Sequence, residues 1–252
     1  MSLRLKAFGI HLLSSAIALS LVLGALYLGW YRWPGWYLTG VVHVLALVAL
    51  VDVALGPTVT LIIASPKKPR RELARDIAIV VTVQLAALAY GSWTLWQGRP
   101  LYYTFSSDRL EIVQASDLSA AEIKLARSQN VTLVPHWYSL PRWVWAPLPA
   151  DKDQATKIMT DAIFGGTDVI EMPRYFKPWD QGLPDLRQQL KKLDDIKPFT
   201  KPQKIALGDR MVLLGADPKQ PNALVIWGRE HPMLAVFDPT TLRIRGFLAA
   251  KW

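Results

Sequence analysis

The order of apolar and polar residues divides the chain into two unlike parts. Three long apolar runs, at residues 8–30, 39–64 and 77–96, fill the first part. Each has the roughly 20 residues that a helix needs to cross a bilayer. The first run is longer than the apolar core of a signal peptide, and no convincing small-residue cleavage site follows it. The pattern therefore predicts three retained transmembrane helices in a membrane domain at residues 1–97.

After residue 97 the pattern changes to short segments that resemble strands and helices. Residues 102–105 and 109–113 alternate around a polar turn, and Ser119 with Glu122 forms a capping-box pattern before a helix. The predicted elements that follow are helices at 120–129, 153–164 and 183–193, and strands at 211–214, 223–227, 234–237 and 243–248. The predicted fold class is a membrane α-helical N-terminal part followed by an exported α+β domain with antiparallel strands, at residues 98–252.

Positive charge predicts the direction in which the helices cross. The net charge is +9, and five Lys or Arg residues lie in the loop 65–76, against one in the loop 31–38. Because positively charged loops stay in the cytoplasm, we expect the loop 65–76 and the N-terminus, with Arg4 and Lys6, on the cytoplasmic side. Three spans then place residue 97 onward outside, which in a two-membrane bacterium is the periplasm.

Several polar residues interrupt the apolar runs. Asp52 is the one carboxylate within them, and a charge at bilayer depth costs about 3 kcal/mol or more unless it faces protein or water. Pro57 removes a backbone hydrogen bond, so Gly56-Pro57 predicts a bend with exposed carbonyls. His11 lies about 10 Å from the level of Asp52 at helical rise, so we do not expect direct pairing of the two without a bend or a water.

Two interpretations of these polar residues stand. They hold the bundle together by internal hydrogen bonds, or they line a groove that receives the transmembrane helix of another protein. The candidate residues for either role are Asp52, His11, Gly56, Pro57, Gln84, Ser14 and Ser15.

The sequence contains no recognisable enzymatic motif. An intramembrane aspartyl protease needs two carboxylates, and the apolar runs contain one. The four histidines have no metal-ligand spacing, and there is no nucleophile elbow, phosphate loop or cysteine. We therefore predict a protein that is not an enzyme and needs no cofactor or metal. An enzyme would require His136 or His231 to meet acids in a pocket. Nucleic acid is not an expected partner, because acids are interleaved with the bases after residue 97.

Four short motifs in fixed order resemble a known family. They are RLKAFGIH at 4–11, Asp52 with LGP at 55–57, QLAALAYG at 84–91, and Arg99-Pro100 followed by Asp108-Arg109. Together they resemble the type IV pilin accessory proteins of the TfpX/TfpZ type. The likeness is dense over the three spans and the first exported strands, and it thins at residues 131–204.

The resemblance implies an inner-membrane, chaperone-like protein that binds a specific type IV major pilin and assists its stability or assembly into pili. The implied partners are the membrane helix and periplasmic head of that pilin, the lipid bilayer, and other pilus-assembly proteins. The alternative is an envelope scaffold that contacts other assembly components without binding pilin. Under the first hypothesis, Asp52→Asn is expected to preserve insertion and folding while weakening pilin support.

Overall fold

The computed structural model describes residues 3–250, which separate into two units. Residues 3–32 and 41–98 form the first unit, called here the membrane unit. Residues 33–40 and 99–250 form the second, called here the sheet domain. Because the loop 33–40 belongs to the second unit, the chain passes between the two units three times.

Long apolar helices make up the membrane unit. In chain order the first helical elements are α1 (Leu3–Gly29), the short loop helix α2 (Gly35–Leu38), α3 (Val42–Ala49), a π-helical turn (Leu50–Leu55), α4 (Gly56–Ile63) and α5 (Arg70–Gln97). Among the described residues, three stretches are long and apolar enough to cross a membrane: span 1 (Arg4–Gly29), span 2 (Val42–Ile63) and span 3 (Arg70–Gln97). This confirms the three predicted helices. Span 2 lies between the others, since α4 packs against both α1 and α5.

Seven strands form the sheet domain's central sheet. They are β1 (Pro100–Ser106), β2 (Arg109–Gln114), β3 (Arg142–Trp145), β4 (Lys177–Pro178), β5 (Ala223–Trp227), β6 (Met233–Phe237) and β7 (Ile244–Ala249). Their order across the sheet is β4-β3-β1-β2-β5-β6-β7.

The α+β class is confirmed, but the sheet is mixed rather than antiparallel throughout. The hairpins β1–β2 and β5–β6–β7 are antiparallel, as predicted. Strand β1 pairs with β3 in parallel, and β2 pairs with β5 in parallel. Parallel neighbours need a crossover of a dozen or more residues, and the long segments that follow β2 and β3 supply it. Alternation within a strand does not reveal which neighbour it will have, so the sequence could not show this.

Within residues 99–250, four helices accompany the sheet: α6 (Ala120–Ser128), α7 (Lys152–Ile163), α8 (Leu183–Gln189) and α9 (Lys201–Leu213). Short 3-10 turns lie at Ala115–Asp117, Val169–Glu171, Pro173–Tyr175, Trp179–Gly182 and Leu193–Asp195. The strand predicted at residues 211–214 is wrong, because this stretch ends α9. Leu207 and Met211 are buried one turn apart on that helix. The helix predicted at 183–193 is also shorter than expected.

The loop between spans 1 and 2 is built into the sheet domain. Leu38 is fully buried in a cluster with Leu110, Ile226 and Phe237. The backbone N–H of Arg229 donates to the carbonyl of Leu38 at 2.7 Å. A Cβ at position 228 would lie 2.4 Å from that same carbonyl oxygen, so glycine is needed there for the close approach. The loop therefore belongs to the core of the domain.

Candidate functional site

Asp52 lies in a π-helical turn in the middle of span 2. The turn covers Leu50–Leu55, and the backbone N–H of Gly56 donates to the carbonyl of Val51, five residues earlier. The next donor in this pattern would be residue 57, which is a proline and has no N–H. The carbonyl of Asp52 therefore receives no donor from its own helix in this pattern. Such π-turns are rare and are frequent at functional sites.

Gln84 of span 3 supplies the missing donor. Its Nε2 donates to the carbonyl of Asp52 at 3.0 Å. A Cβ on Gly56 would lie 2.0 Å from Gln84 Nε2, so the missing side chain at position 56 makes room for the amide. Pro57 lacks the backbone N–H that would donate to the Asp52 carbonyl. The absent side chain of Gly56 leaves room for the Gln84 amide, which donates in place of that N–H. These three candidate residues thus act together in joining spans 2 and 3.

His11 of span 1 contacts span 2 at a different level. His11 Nδ1 lies 2.6 Å from Thr60 Oγ1. Thr60 is eight residues beyond Asp52, or about 12 Å at helical rise, which agrees with the expectation that His11 does not pair with Asp52. Ser14 Oγ donates to the carbonyl of His11 at 2.9 Å. Near the end of the same helix pair, Arg4 Nε donates to the carbonyl of Ala64 at 3.0 Å.

Side chains from all three spans line a groove of about 230 Å³. Its lining residues are His11, Ser14, Ser15, Ala18, Asp52, Val81, Gln84, Leu85 and Leu88. Five of the seven candidate residues therefore come together at one place. The other two, Gly56 and Pro57, are buried and do not line the groove.

Two acceptor oxygens of this groove have no hydrogen-bond partner within residues 3–250. They are Asp52 Oδ2 and Gln84 Oε1, on side chains that are 4% and 7% exposed. A buried polar atom without a partner costs about 1–3 kcal/mol, and more when it is charged. No Lys or Arg is among the lining residues. The groove thus presents apolar walls and unused acceptors, which is an arrangement suited to a donor from outside the chain.

The apolar half of the groove could not be recognised from the polar residues alone. Val81, Leu85 and Leu88 line it together with Gln84, at the spacing i, i+3, i+4, i+7. The lining residues of span 1 have the same spacing, at positions 11, 14, 15 and 18. This spacing marks one face of a helix. It is hard to read in a transmembrane segment because the lipid-facing residues are apolar as well.

A larger, charged cleft of about 630 Å³ lies in the sheet domain beside β2 and β5. Arg109 in this cleft is 3.0 Å from Glu111 and 2.5 Å from Asp168. Burial raises the pKa of the Glu111 carboxyl above its ordinary value, although the Arg109 guanidinium beside it acts in the opposite direction. Among the described residues, none that lines this cleft has a buried side-chain atom without a partner. The Arg109 guanidinium is thus already paired with two carboxylates inside the domain.

The two histidines of the sheet domain make aromatic contacts. His136 stacks on Tyr138 at 5.4 Å between ring centroids, and the His231 ring lies 6.0 Å from that of Tyr37. The cleft that His231 lines contains no acidic residue. Across residues 3–250, no group of three or more His, Asp and Glu side chains is placed to hold a metal ion. Both histidines are exposed.

Comparison with known proteins identifies relatives of one kind. The chain is similar to the fimbrial assembly protein of serogroup I of Dichelobacter nodosus, with 26% identity over 192 residues, which are 75% of this chain and 72% of that protein. The serogroup E1 protein of the same organism is 27% identical over 192 residues, with the same coverage of 75% and 72%. No protein-family model and no solved structure matches the chain.

A third relative covers a shorter part of this chain at higher identity. The fimbrial assembly protein of serogroups C1 and C2 of Dichelobacter nodosus is 30% identical over 121 residues, which are 48% of this chain and 92% of that protein. These relatives confirm the resemblance to type IV pilin accessory proteins. With this identity over nearly the whole length of a relative, the chain belongs to the fimbrial assembly protein family.

Proposed function

We propose that this protein assists fimbrial assembly by binding a type IV major pilin while the pilin is still in the membrane. The groove between the three spans receives the transmembrane helix of the pilin, and the sheet domain contacts the pilin head. The observation that carries this proposal is the groove, where Asp52 and Gln84 each keep an acceptor oxygen without a partner in the described chain. The names of the relatives support a fimbrial component as the occupant.

The proposal includes an orientation in the bacterial inner membrane. Residues 1–97 form the membrane domain with a cytoplasmic N-terminus, and residues 98–252 lie in the periplasm with the loop 33–40. The positive loop 65–76 supports this orientation. A hydrogen bond from Lys68 to Asp76 at 2.7 Å raises the pKa of the Lys68 ammonium.

Binding alone accounts for this role. A membrane-embedded pilin exposes a long apolar helix to the lipid and a folded head to water. A partner with a helical bundle and a folded domain covers both. The protein is in this view chaperone-like, and it acts without catalysis.

Site-specific photo-crosslinking tests the proposal. A benzoylphenylalanine at position 14, where the exposed Ser14 lines the groove, is expected to crosslink to the major pilin in cells. The matched control is position 83, where Val83 is 62% exposed on span 3 but does not line the groove. Crosslinks from position 14 to other assembly proteins, with none to pilin, would contradict the proposal and favour the scaffold alternative.

Gene deletion supplies an independent test. The deletion strain should carry fewer pili built from the cognate pilin, whereas pili built from an unrelated pilin should be unchanged. Equal numbers of cognate pili in the deletion and parent strains would contradict the proposal. The comparison is made by electron microscopy and by immunoblotting of sheared pili.

A further inference from the structure

The unused acceptors in the groove define the chemistry of its occupant. Building on the proposed function, we propose that the groove binds a transmembrane helix carrying an ammonium group at the level of Asp52. Asp52 Oδ2 and Gln84 Oε1 accept hydrogen bonds from that group. An ammonium has three donors and no acceptor, so it can donate to both of these oxygens at once.

Several polar groups of the groove already form hydrogen bonds within the protein. Gln84 Nε2 donates to the Asp52 carbonyl, Ser14 Oγ donates to the His11 carbonyl, and His11 shares its Nδ1 contact with Thr60. What remains on Asp52 and Gln84 is one buried acceptor each. A hydroxyl on the occupant has one hydrogen to donate. An ammonium can donate to both oxygens and also carries a positive charge, and no Lys or Arg is among the lining residues.

The depth of Asp52 explains why the ammonium must belong to a membrane-spanning segment. Asp52 lies ten residues from Val42 and eleven from Ile63, the two ends of span 2. At about 1.5 Å per residue this is about 15 Å from either end, near the centre of a bilayer about 30 Å thick. Lipid headgroups, and side chains that reach inward from the interface, stay near the two surfaces. A helix inside the bilayer can present its side chain at this level.

The size of the groove admits one long side chain. Its volume of about 230 Å³ is far more than one water needs. Leu85 and Leu88 offer apolar contact to the methylene groups, while Asp52 and Gln84 offer acceptors to the terminal nitrogen. The combination of apolar walls with acceptors is what a lysine-type side chain requires.

Host peptides with one guest residue test the inference. Polyleucine transmembrane peptides carrying a central Lys, Ser or Leu are labelled with the energy-transfer acceptor dye. The full-length protein carries the donor dye at a single cysteine introduced by Ser20→Cys. This labelling is specific because the chain has no cysteine. In lipid nanodiscs, energy transfer should show the Lys peptide binding about tenfold or more tightly than the Leu peptide. Equal binding of these two peptides, or equal binding of the Ser and Lys peptides, would overturn the inference.

Two controls connect the preference to Asp52. The variant Asp52→Asn should lose the preference for Lys, and Thr82→Val, at an exposed threonine of span 3 outside the lining, should keep it. If Asp52→Asn fails to fold, the guest Lys is moved by two turns along the peptide instead, and the wild-type preference should fall. An unchanged preference in the Asn variant, or at the displaced position, would overturn the inference.

The outcome is separable from that of the proposed function. A pilin that crosslinks through position 14, together with peptides that show no preference, would keep the proposed function and overturn this inference. A clear preference for the Lys peptide without any pilin crosslink would support this inference and contradict the proposed function.

Discussion

Gly56 shows how one missing side chain organises the contact between two membrane helices. The space above its Cα is filled by the amide of Gln84, which reaches the carbonyl of Asp52. Any larger residue at position 56 would occupy the same volume. The glycine therefore determines whether the carbonyl freed by Pro57 finds a donor.

The substitution Gly56→Ala is expected to destabilise the membrane unit by about 1–3 kcal/mol, because the displaced amide leaves the Asp52 carbonyl without its donor. The free energy of unfolding of the full chain in detergent measures the effect. Gly9→Ala is the matched control, since a Cβ at position 9 would meet nothing within 4 Å. A Gly56→Ala protein as stable as the Gly9→Ala protein would contradict the prediction.

Individual elements begin where local capping signals indicate. Ser119 accepts from the backbone N–H of Glu122 at 3.1 Å and caps α6, which is one half of the predicted capping box. The Glu122 carboxylate lies 3.3 Å from Arg174 Nη1, a contact that sequence analysis did not foresee. Helix α9 begins with a capping box of Thr200 and Gln203 and extends through most of the stretch predicted as a strand at 211–214.

The turn between β6 and β7 depends on one ionised carboxylate. Asp238 accepts hydrogen bonds from the backbone N–H groups of Thr241 and Thr240, at 2.8 and 3.0 Å, and from Arg245 Nη2 at 2.6 Å. The backbone bond from Thr241, followed by that from Arg245, lowers the pKa of the Asp238 carboxyl well below its ordinary value. A carboxyl with a lowered folded pKa stabilises the fold above its unfolded pKa of about 3.9, and this contribution is lost as the pH falls further.

Asp238→Asn should therefore speed amide hydrogen exchange in β6 and β7 at pH 7. Below about pH 4 the variant should also lose the part of the hairpin's acid sensitivity that is caused by protonation of Asp238. Exchange is followed by mass spectrometry on the full chain. Asp217→Asn, at a turn where Oδ1 accepts from the backbone N–H of Lys219 at 2.9 Å, is the control and should leave the hairpin unchanged. Identical exchange in the two variants would refute the assignment.

At the scale of the whole molecule, the sheet domain is not attached to the membrane unit by a single linker. The loop 33–40 leaves span 1, enters the core of the sheet domain through Leu38, and returns to span 2. The stability of the domain therefore depends on a segment that lies between two membrane helices in the sequence.

Leu38→Ala is expected to destabilise the sheet domain by about 2–5 kcal/mol, because truncation of a fully buried leucine leaves a cavity. Urea unfolding of the full chain in detergent, followed by hydrogen exchange in β5 and β6, gives the measurement. Leu140→Ala is the control, at a leucine that is 55% exposed in the same domain. If both variants unfold at the same urea concentration, Leu38 has no role in the core.

Signals that lie within one element could be predicted from the sequence. The lengths of the apolar runs predicted three spans, and alternation with a polar turn predicted β1, β2 and the three C-terminal strands. The polar candidate residues were identified by their depth in the bilayer, because a polar side chain there is costly unless it faces protein or water. These features depend on residues close together in the chain.

Contacts between distant residues were decided by the tertiary structure alone. Gln84 meets Asp52 across 32 positions, the parallel strand pairs form across long crossovers, and Leu38 enters a core made by residues of β2, β5 and β6. None of these contacts leaves a local sequence pattern, because hydrophobic burial and hydrogen bonding depend on spatial fit and not on the distance between residues in the sequence. The sequence therefore named Asp52, His11 and Gln84 as polar residues in spans, and the packing of three helices made them one groove.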